Sequence, residues 1–267
     1  MIPAREESVF HRRPVRRLDL EARLAGHTFG RPLYWAEVVD STNRVLLEWA
    51  ARGATEGLTL VADHQTAGRG RRGRPWVAPP RTALLMSVVL HPARHATSLI
   101  PLLTGVAVAD VLADMAGLTA ELKWPNDVLV RGRKVAGILA EAVTVGDRVS
   151  VVVGVGINMR VPRSTLDALP LAATSVALET DRCPSRQALL LALLSRWEAH
   201  YQQLQQGRWT LDLWRARAPM LGRPITVVAG DTTWSGTAID VAPDGALLVR
   251  RPDGHVEALY AADVTVR

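Results

Sequence analysis

Residues 58–90 read LTLVADHQTAGRGRRGRPWVAPPRTALLMSVVL. The two apolar runs, 58–63 and 82–90, have the texture of buried strands. Between them lies a segment that no packed element can absorb: residues 68–76 place four arginines and three glycines in nine positions. Glycine raises the backbone cost of a helix or strand, and Pro75 removes a donor. What such a segment offers is free N–H groups and guanidinium forks, which suit phosphate or carboxylate oxygens. Taken alone it fits a solvated loop or a non-specific nucleic-acid binder as well as a small-molecule anion site. Its flanks favour the small molecule, because RNA-binding arginine–glycine tracts are usually repeats in low-complexity tails, whereas this segment joins two core strands.

Lysine usage points the same way. Thirty arginines stand against two lysines, Lys123 and Lys134. A genome that favours arginine codons explains the bias but not the placement. Both lysines fall in short motif-like segments, 123–127 (KWPND) and 134–139 (KVAGIL). Lysine supplies a compact, mobile point charge that arginine's rigid fork cannot mimic.

The composition sets the bounds. A chain of 267 residues with 48% hydrophobic content can bury one sizeable domain and a small one. The net charge is +6, and Cys183 is the single cysteine, so no internal disulfide framework exists. A lone cysteine fits a reducing compartment, and the first residues lack the apolar stretch of a signal peptide. No run of about eighteen residues reads as membrane-crossing. The expectation is a cytoplasmic protein with no membrane contact. Residues 220–267 carry four arginines and six acidic residues, a net of −2, which leaves +8 on the rest. A concentrated basic site of this kind fits an anionic ligand, an acidic partner or a DNA groove.

Along the chain, residues 1–31 read as a basic arm, partly disordered and leading into a short helix. Residues 32–219 read as an α+β domain, a mainly antiparallel sheet with helices on one face. Helical spacing predicts helices near 42–51, 99–115, 185–206 and 210–216, and short turns link strands near 128–130, 135–143 and 149–157 into hairpins. From residue 220, four short strands split by Gly–Asp and Pro–Asp–Gly turns predict a small β-barrel over 220–267.

Five motifs in order resemble the biotin–protein ligases: DSTN (40–43), GRGRRGRPW (68–76), KWPNDVLV (123–130), KVAGILAE (134–141) and GVGINM (154–159). The resemblance covers residue 33 to the end. It implies the class II synthetase-like catalytic fold of biotin and lipoate ligases with a Src-homology-3-like C-terminal barrel. It also implies a two-step reaction: biotin and Mg-ATP give biotinyl-5′-AMP and pyrophosphate, then a lysine of a biotin carboxyl carrier domain, such as that of acetyl-CoA carboxylase, takes the biotin and releases AMP. Lys134 and Arg69 would be catalytic. Ser41, Thr42, Asn43, Gln65, Gly68, Arg69, Gly70, Arg71, Lys134 and Gly137 would bind biotin. Arg71, Arg74, Trp76, Lys123, Asn126 and Asn158 would bind ATP or the adenylate, and Asp127 would contact Mg2+. Elementary chemistry agrees, since two anions must be brought together and positive groups offset their repulsion. About thirty residues precede the first strand, too few for the winged-helix domain of the repressor members. No specific nucleic acid is therefore expected, and a monomer or weak homodimer is. Lipoate ligases and octanoyltransferases share the fold, but the latter use a cysteine nucleophile, and Cys183 lies outside every motif.

Overall fold

The computed structural model describes residues 14–266. In chain order the elements are β1 (Val15–Arg16), α1 (Leu18–Arg23), β2 (Leu33–Val39), α2 (Thr42–Ala51), β3 (Thr59–Gln65), β4 (Ala83–Leu90), α3 (Ile100–Ala116), β5 (Glu121–Lys123), β6 (Asp127–Val130), β7 (Arg133–Val145), β8 (Arg148–Asn158), α4 (Arg163–Asp167), α5 (Val176–Glu179), α6 (Arg186–Gln205) and α7 (Asp212–Arg215). β9 (Pro224–Ala229), β10 (Thr232–Val241), β11 (Leu247–Arg250), β12 (Val256–Leu259) and β13 (Asp263–Val266) follow.

The first eight strands form one sheet in the order β1-β2-β3-β4-β8-β7-β6-β5. Every pairing is antiparallel except β2 with β3, where α2 provides the crossover a parallel pair requires. Side chains alternate across the sheet, and the alternation assigns the faces. Leu84, Met86, Val88 and Leu90 of β4, with Val153, Val155 and Ile157 of β8, pack towards α3 and α6. Val89 and Val152 point the other way, to Val45, Leu46 and Trp49 of α2. The expectation that the helices share one face is thus corrected: α2 lies on the opposite face, because its own apolar stripe needs a partner and the β2–β3 crossover leaves it there.

The basic arm is also corrected in part. Residues 1–13 lie outside the described residues. From Pro14 the chain is built into the fold: β1 extends the sheet, and Leu20, Leu24 and Phe29 are buried in the main core. Glu21 accepts from Arg16 and from the Leu33 amide, which ties α1 to the start of β2.

α3 has Pro at its first turn and ends at Gly117, whose φ of 65° suits the left-handed C-cap. Together with the preceding 3-10 turn it runs from Arg94 to Ala116, 23 residues with a hydropathy of 1.8 in its most apolar window. By length and composition this stretch could cross a membrane, contrary to the sequence reading. However, 67% of the window is buried inside the fold, so its apolarity is that of a core helix.

The C-terminal strands form a second antiparallel sheet, order β12-β11-β10-β9-β13, in the arrangement of a small Src-homology-3-like unit. No pairing closes β12 onto β13 among the described residues, so the barrel is open in its hydrogen bonding. β13 is a strand the turn signals did not reveal.

Candidate functional site

The face that carries α2 has a floor made of three glycines. Gly137 of β7 pairs with Gly156 of β8, and Leu139 pairs with Gly154. A methyl group at Gly156 would lie 2.6 Å from Trp76 Cε2, one at Gly137 2.9 Å from Trp76 Cζ3, and one at Gly154 2.2 Å from Asn43 Oδ1. Strand glycines mark such close approaches. Trp76 thus lies across two of the glycines, with its other surface in a small cluster that includes Ala78, Leu85 and Leu166. Its indole N–H is buried and has no acceptor among the described residues. An unmet buried donor costs about 1–3 kcal/mol, which a ligand acceptor would relieve.

At one end of the floor sits a polar cluster. Ser41 caps α2, its Oγ 3.5 Å from the Arg44 amide, so the capping role falls to one of the three predicted polar residues. Thr42 donates twice to Gln65 Oε1, from its amide at 2.7 Å and its hydroxyl at 3.0 Å. Asn43 Nδ2 donates to the Leu139 carbonyl and to Glu141 Oε2 at 2.8 Å. Ser87 Oγ lies 2.7 Å from both Thr42 Oγ1 and Asn43 Oδ1. Ser41, Thr42 and Asn43 are all buried, so fixed donors and acceptors converge in an apolar setting, as a pocket for a compact polar ring requires.

At the other end Lys134 Nζ pairs with Asp127 Oδ1 at 2.5 Å and lies 5.6 Å from the Trp76 ring centroid. Lys134 is held by its backbone on both sides, from β6 and from residues 172–174, whose Thr174 amide donates to the Lys134 carbonyl. Asn126 Nδ2 donates to the Ile138 carbonyl at 2.6 Å, and Asn158 Nδ2 to the Thr174 carbonyl at 3.0 Å. Both predicted asparagines therefore already spend donors on the walls of the site. Lys123, beside Asp127 in the β5–β6 pair, is half-buried and forms no ion pair with any described residue. No group of three or more metal-binding side chains occurs among the described residues.

The arginine loop closes as a narrow hairpin. The Trp76 amide donates to the Gly68 carbonyl at 2.9 Å and the Gly70 amide to the Arg74 carbonyl at 2.7 Å. A methyl at Gly68 would meet the Trp76 carbonyl at 2.6 Å, so glycine is required there. At the tip, Arg72 has φ 54° and Gly73 φ 71°. For a non-glycine residue that region costs roughly 1–2 kcal/mol. Arg69 reaches Glu141 at 3.4 Å, beside the polar cluster. Arg71 donates to the Ala262 carbonyl, and burial holds its guanidinium below the usual arginine range despite the nearby Asp263. Arg74, expected at ATP or the adenylate, pairs its guanidinium with Asp263 of the C-terminal unit.

A cavity of about 240 Å3 lies beside the loop, lined by Arg71, Trp124, Asn126, Glu141, Asp244 and Tyr260 among others. A hollow of about 360 Å3 between α3 and α6 holds none of the predicted residues. Sequence reasoning missed Ser87, Glu141 and Asp263. Ser87 was visible as the lone polar residue inside the apolar run 83–90, and Glu141 as the acid ending the motif KVAGILAE. Asp263 had no local signal. Cys183 is half-buried with its thiol against the Met159 carbonyl, and burial pushes its pKa up, so it is no activated nucleophile.

Comparison with known proteins adds an independent line. Residues 35–158 match the model of the biotin/lipoate A/B protein ligase family, and residues 220–267 match that of the biotin protein ligase C-terminal domain. A biotin–[acetyl-CoA-carboxylase] ligase of Mycobacterium tuberculosis is 37% identical over 263 residues, 95% of this chain and 96% of that one. The bifunctional ligase/repressor BirA of Bacillus subtilis is 32% identical, with 92% of this chain and 77% of the relative covered. Among solved structures, the biotin protein ligase from Aquifex aeolicus in complex with biotin and ATP superposes with a TM-score of 0.74 at 28% identity, over 88% of this chain and 98% of that one.

Proposed function

The chain belongs to the biotin protein ligase family, and from that premise we propose how its residues carry out the ATP-dependent ligation of biotin to protein. The carrying observation is the single strip of sheet on which Asn43, the glycine floor, Trp76 and Lys134 are brought together. Biotin's ureido ring takes the cluster of Thr42, Asn43, Gln65 and Ser87, whose groups can match its carbonyl and N–H groups. That sets the carboxylate towards Lys134. There a carboxylate oxygen attacks the α-phosphorus of ATP; the bond to the β-phosphate oxygen breaks and pyrophosphate leaves. Lys134 neutralises charge shared between the carboxylate and the phosphate, and Arg69 and Arg71 add positive groups from the loop. The indole of Trp76 offers a flat surface and an unmet donor to the adenylate.

Mg2+ fits the residues present: Asp127 is the carboxylate beside Lys134, and a single carboxylate with phosphate and water oxygens is an ordinary set for this ion. The ion would neutralise phosphate charge. In the second step a lysine amine of a biotin carboxyl carrier domain attacks the anhydride carbonyl. The C–N bond forms, the amine loses a proton and AMP departs with the bonding pair. Closure of the loop shields the anhydride from water until then.

The test is exchange of labelled pyrophosphate into ATP with Mg2+, comparing biotin, lipoate and octanoate. Exchange with biotin alone is expected. Exchange with lipoate or octanoate instead would transfer the same chemistry to another acid and overturn the substrate.

A further inference from the structure

Three of the four loop arginines end on one corner of the C-terminal unit. Arg72 donates to Asp263 Oδ2 at 3.2 Å and to the Val228 carbonyl at 3.1 Å; Arg74 pairs with the same Oδ2; Arg71 donates to the Ala262 carbonyl at 3.2 Å. Asp263 opens β13 directly opposite Val228 on β9, so one carboxylate and two carbonyls converge there. The corner takes charge-assisted hydrogen bonds, the stronger kind, from a tip whose backbone is otherwise unfavourable at Arg72. The unit is also fixed to the catalytic domain by further contacts. Trp124, inside the KWPND motif, donates from Nε1 to the Gly245 carbonyl at 3.0 Å, Ser98 donates to the Asp244 carbonyl at 2.6 Å, and Arg215 pairs with Asp240 at 2.7 Å. The unit therefore bridges two motifs far apart in sequence, the arginine loop and the 123–127 segment.

We propose that Asp263 is a positioning residue that latches the arginine loop shut, the C-terminal unit serving as the bracket that holds the latch. Without the carboxylate, Arg71, Arg72 and Arg74 crowd together with no counter-charge, and their repulsion opens the tip. The consequence for catalysis rests on the ligase reading: an open loop releases biotinyl-5′-AMP before the carrier arrives. Asp263 touches no reacting atom, so its effect falls on retention and not on the bond-making step.

The test uses full-length Asp263→Asn and Asp263→Glu proteins, with thermal unfolding as the check on folding. Trypsin cuts after arginine except before proline, which protects the Arg74–Pro75 bond, so cleavage after Arg71 and Arg72, followed by mass spectrometry in the ligand-free protein, reads loop opening without any catalysis. Cleavage about tenfold faster in Asp263→Asn, with Asp263→Glu near the wild type, is expected. Should Asp263→Asn fold poorly, Arg72→Gln alters the latch from the loop side and is expected to speed cleavage after Arg71 likewise. Wild-type cleavage rates in the folded variants would overturn the latch. The second readout is escape of biotinyl-5′-AMP into solution after its formation from biotin and Mg-ATP, expected several-fold faster in Asp263→Asn. Faster cleavage with unchanged retention would remove the latch's catalytic role. Faster cleavage while wild-type protein forms no adenylate at all would leave the latch standing and sink the ligase reading.

Discussion

Asn43 Oδ1 stands where a methyl group on Gly154 would have to go, 2.2 Å away, and Asn43 is wedged between Ser87, Glu141 and the Leu139 carbonyl. The side chain cannot retreat without losing those bonds. Gly154→Ala should therefore misplace the biotin contact and raise KM for biotin by about one to two orders of magnitude, since displacements near 1 Å carry costs of that size. A wild-type KM would remove Asn43 from the pocket. Lys134 supplies charge where the carboxylate meets the phosphate, so Lys134→Ala should slow adenylate formation by about 10²–10³. Lys134→Arg should restore little, because a planar fork cannot take the place of a compact ammonium beside Trp76 and Asp127. Single-turnover formation of the adenylate is the measurement, and near-normal rates in the alanine variant would move the chemistry elsewhere.

β3 runs into the site at Gln65, and its Asp63 ties the strand to the rest of the domain. The carboxylate accepts from Trp35 Nε1 at 2.9 Å, Arg186 at 2.7 Å and Arg81 at 3.1 Å, joining β2, α6 and the loop before β4. Burial raises its pKa, but these three donors outweigh burial, and the net position is below the usual carboxylate range. A depressed folded pKa gives stability that is present above the unfolded value, near 3.9, and is lost as pH falls through the folded one. Asp63→Asn should thus cost about 1–3 kcal/mol at neutral pH and converge on the wild type in strong acid. A difference that stays constant down to acid pH, read by denaturant unfolding, would contradict the pairing. The same region shows what sequence can tell. The runs that became β4, β7 and β8 were legible because each is apolar and bounded by turn residues, and Lys134 was legible as one of two lysines. β1 and β13 were not, being two and four residues long and existing only through partners distant in the chain. The destination of Arg72 and Arg74 was invisible for the same reason: a loop's sequence shows that it seeks acids but not which acid the fold brings near.

Across the whole molecule, the boundary drawn near residue 219 by texture is not a boundary in the core. One continuous apolar cluster takes in Leu102 and Leu112 of α3, Trp197 of α6, Trp124 and Met220 at the junction, and Ile225, Val227, Leu247 and Val264 of the C-terminal sheet. A unit of some 48 residues can bury only a modest interior of its own. Its remaining apolar face is covered by α3 and Trp124, and Trp124 is itself only 3% exposed. The full chain is thus expected to unfold in a single transition, with calorimetric and van't Hoff enthalpies in agreement. Trp124→Ala should lower stability by about 3–5 kcal/mol, because it opens a cavity at the junction and leaves the Gly245 carbonyl without its donor. The position of Trp124 gives this loss a second reading. It lies between Lys123 and Asn126, so a slackened junction disturbs the 123–127 segment and the latch at Asp263 together, and ATP-dependent exchange should fall at temperatures where the variant is still folded. Two separate transitions in the wild-type protein, with the smaller confined to the C-terminal sheet, would show that the unit folds by itself. The bracket would then be a docked module whose hold on the loop comes and goes independently of the catalytic domain.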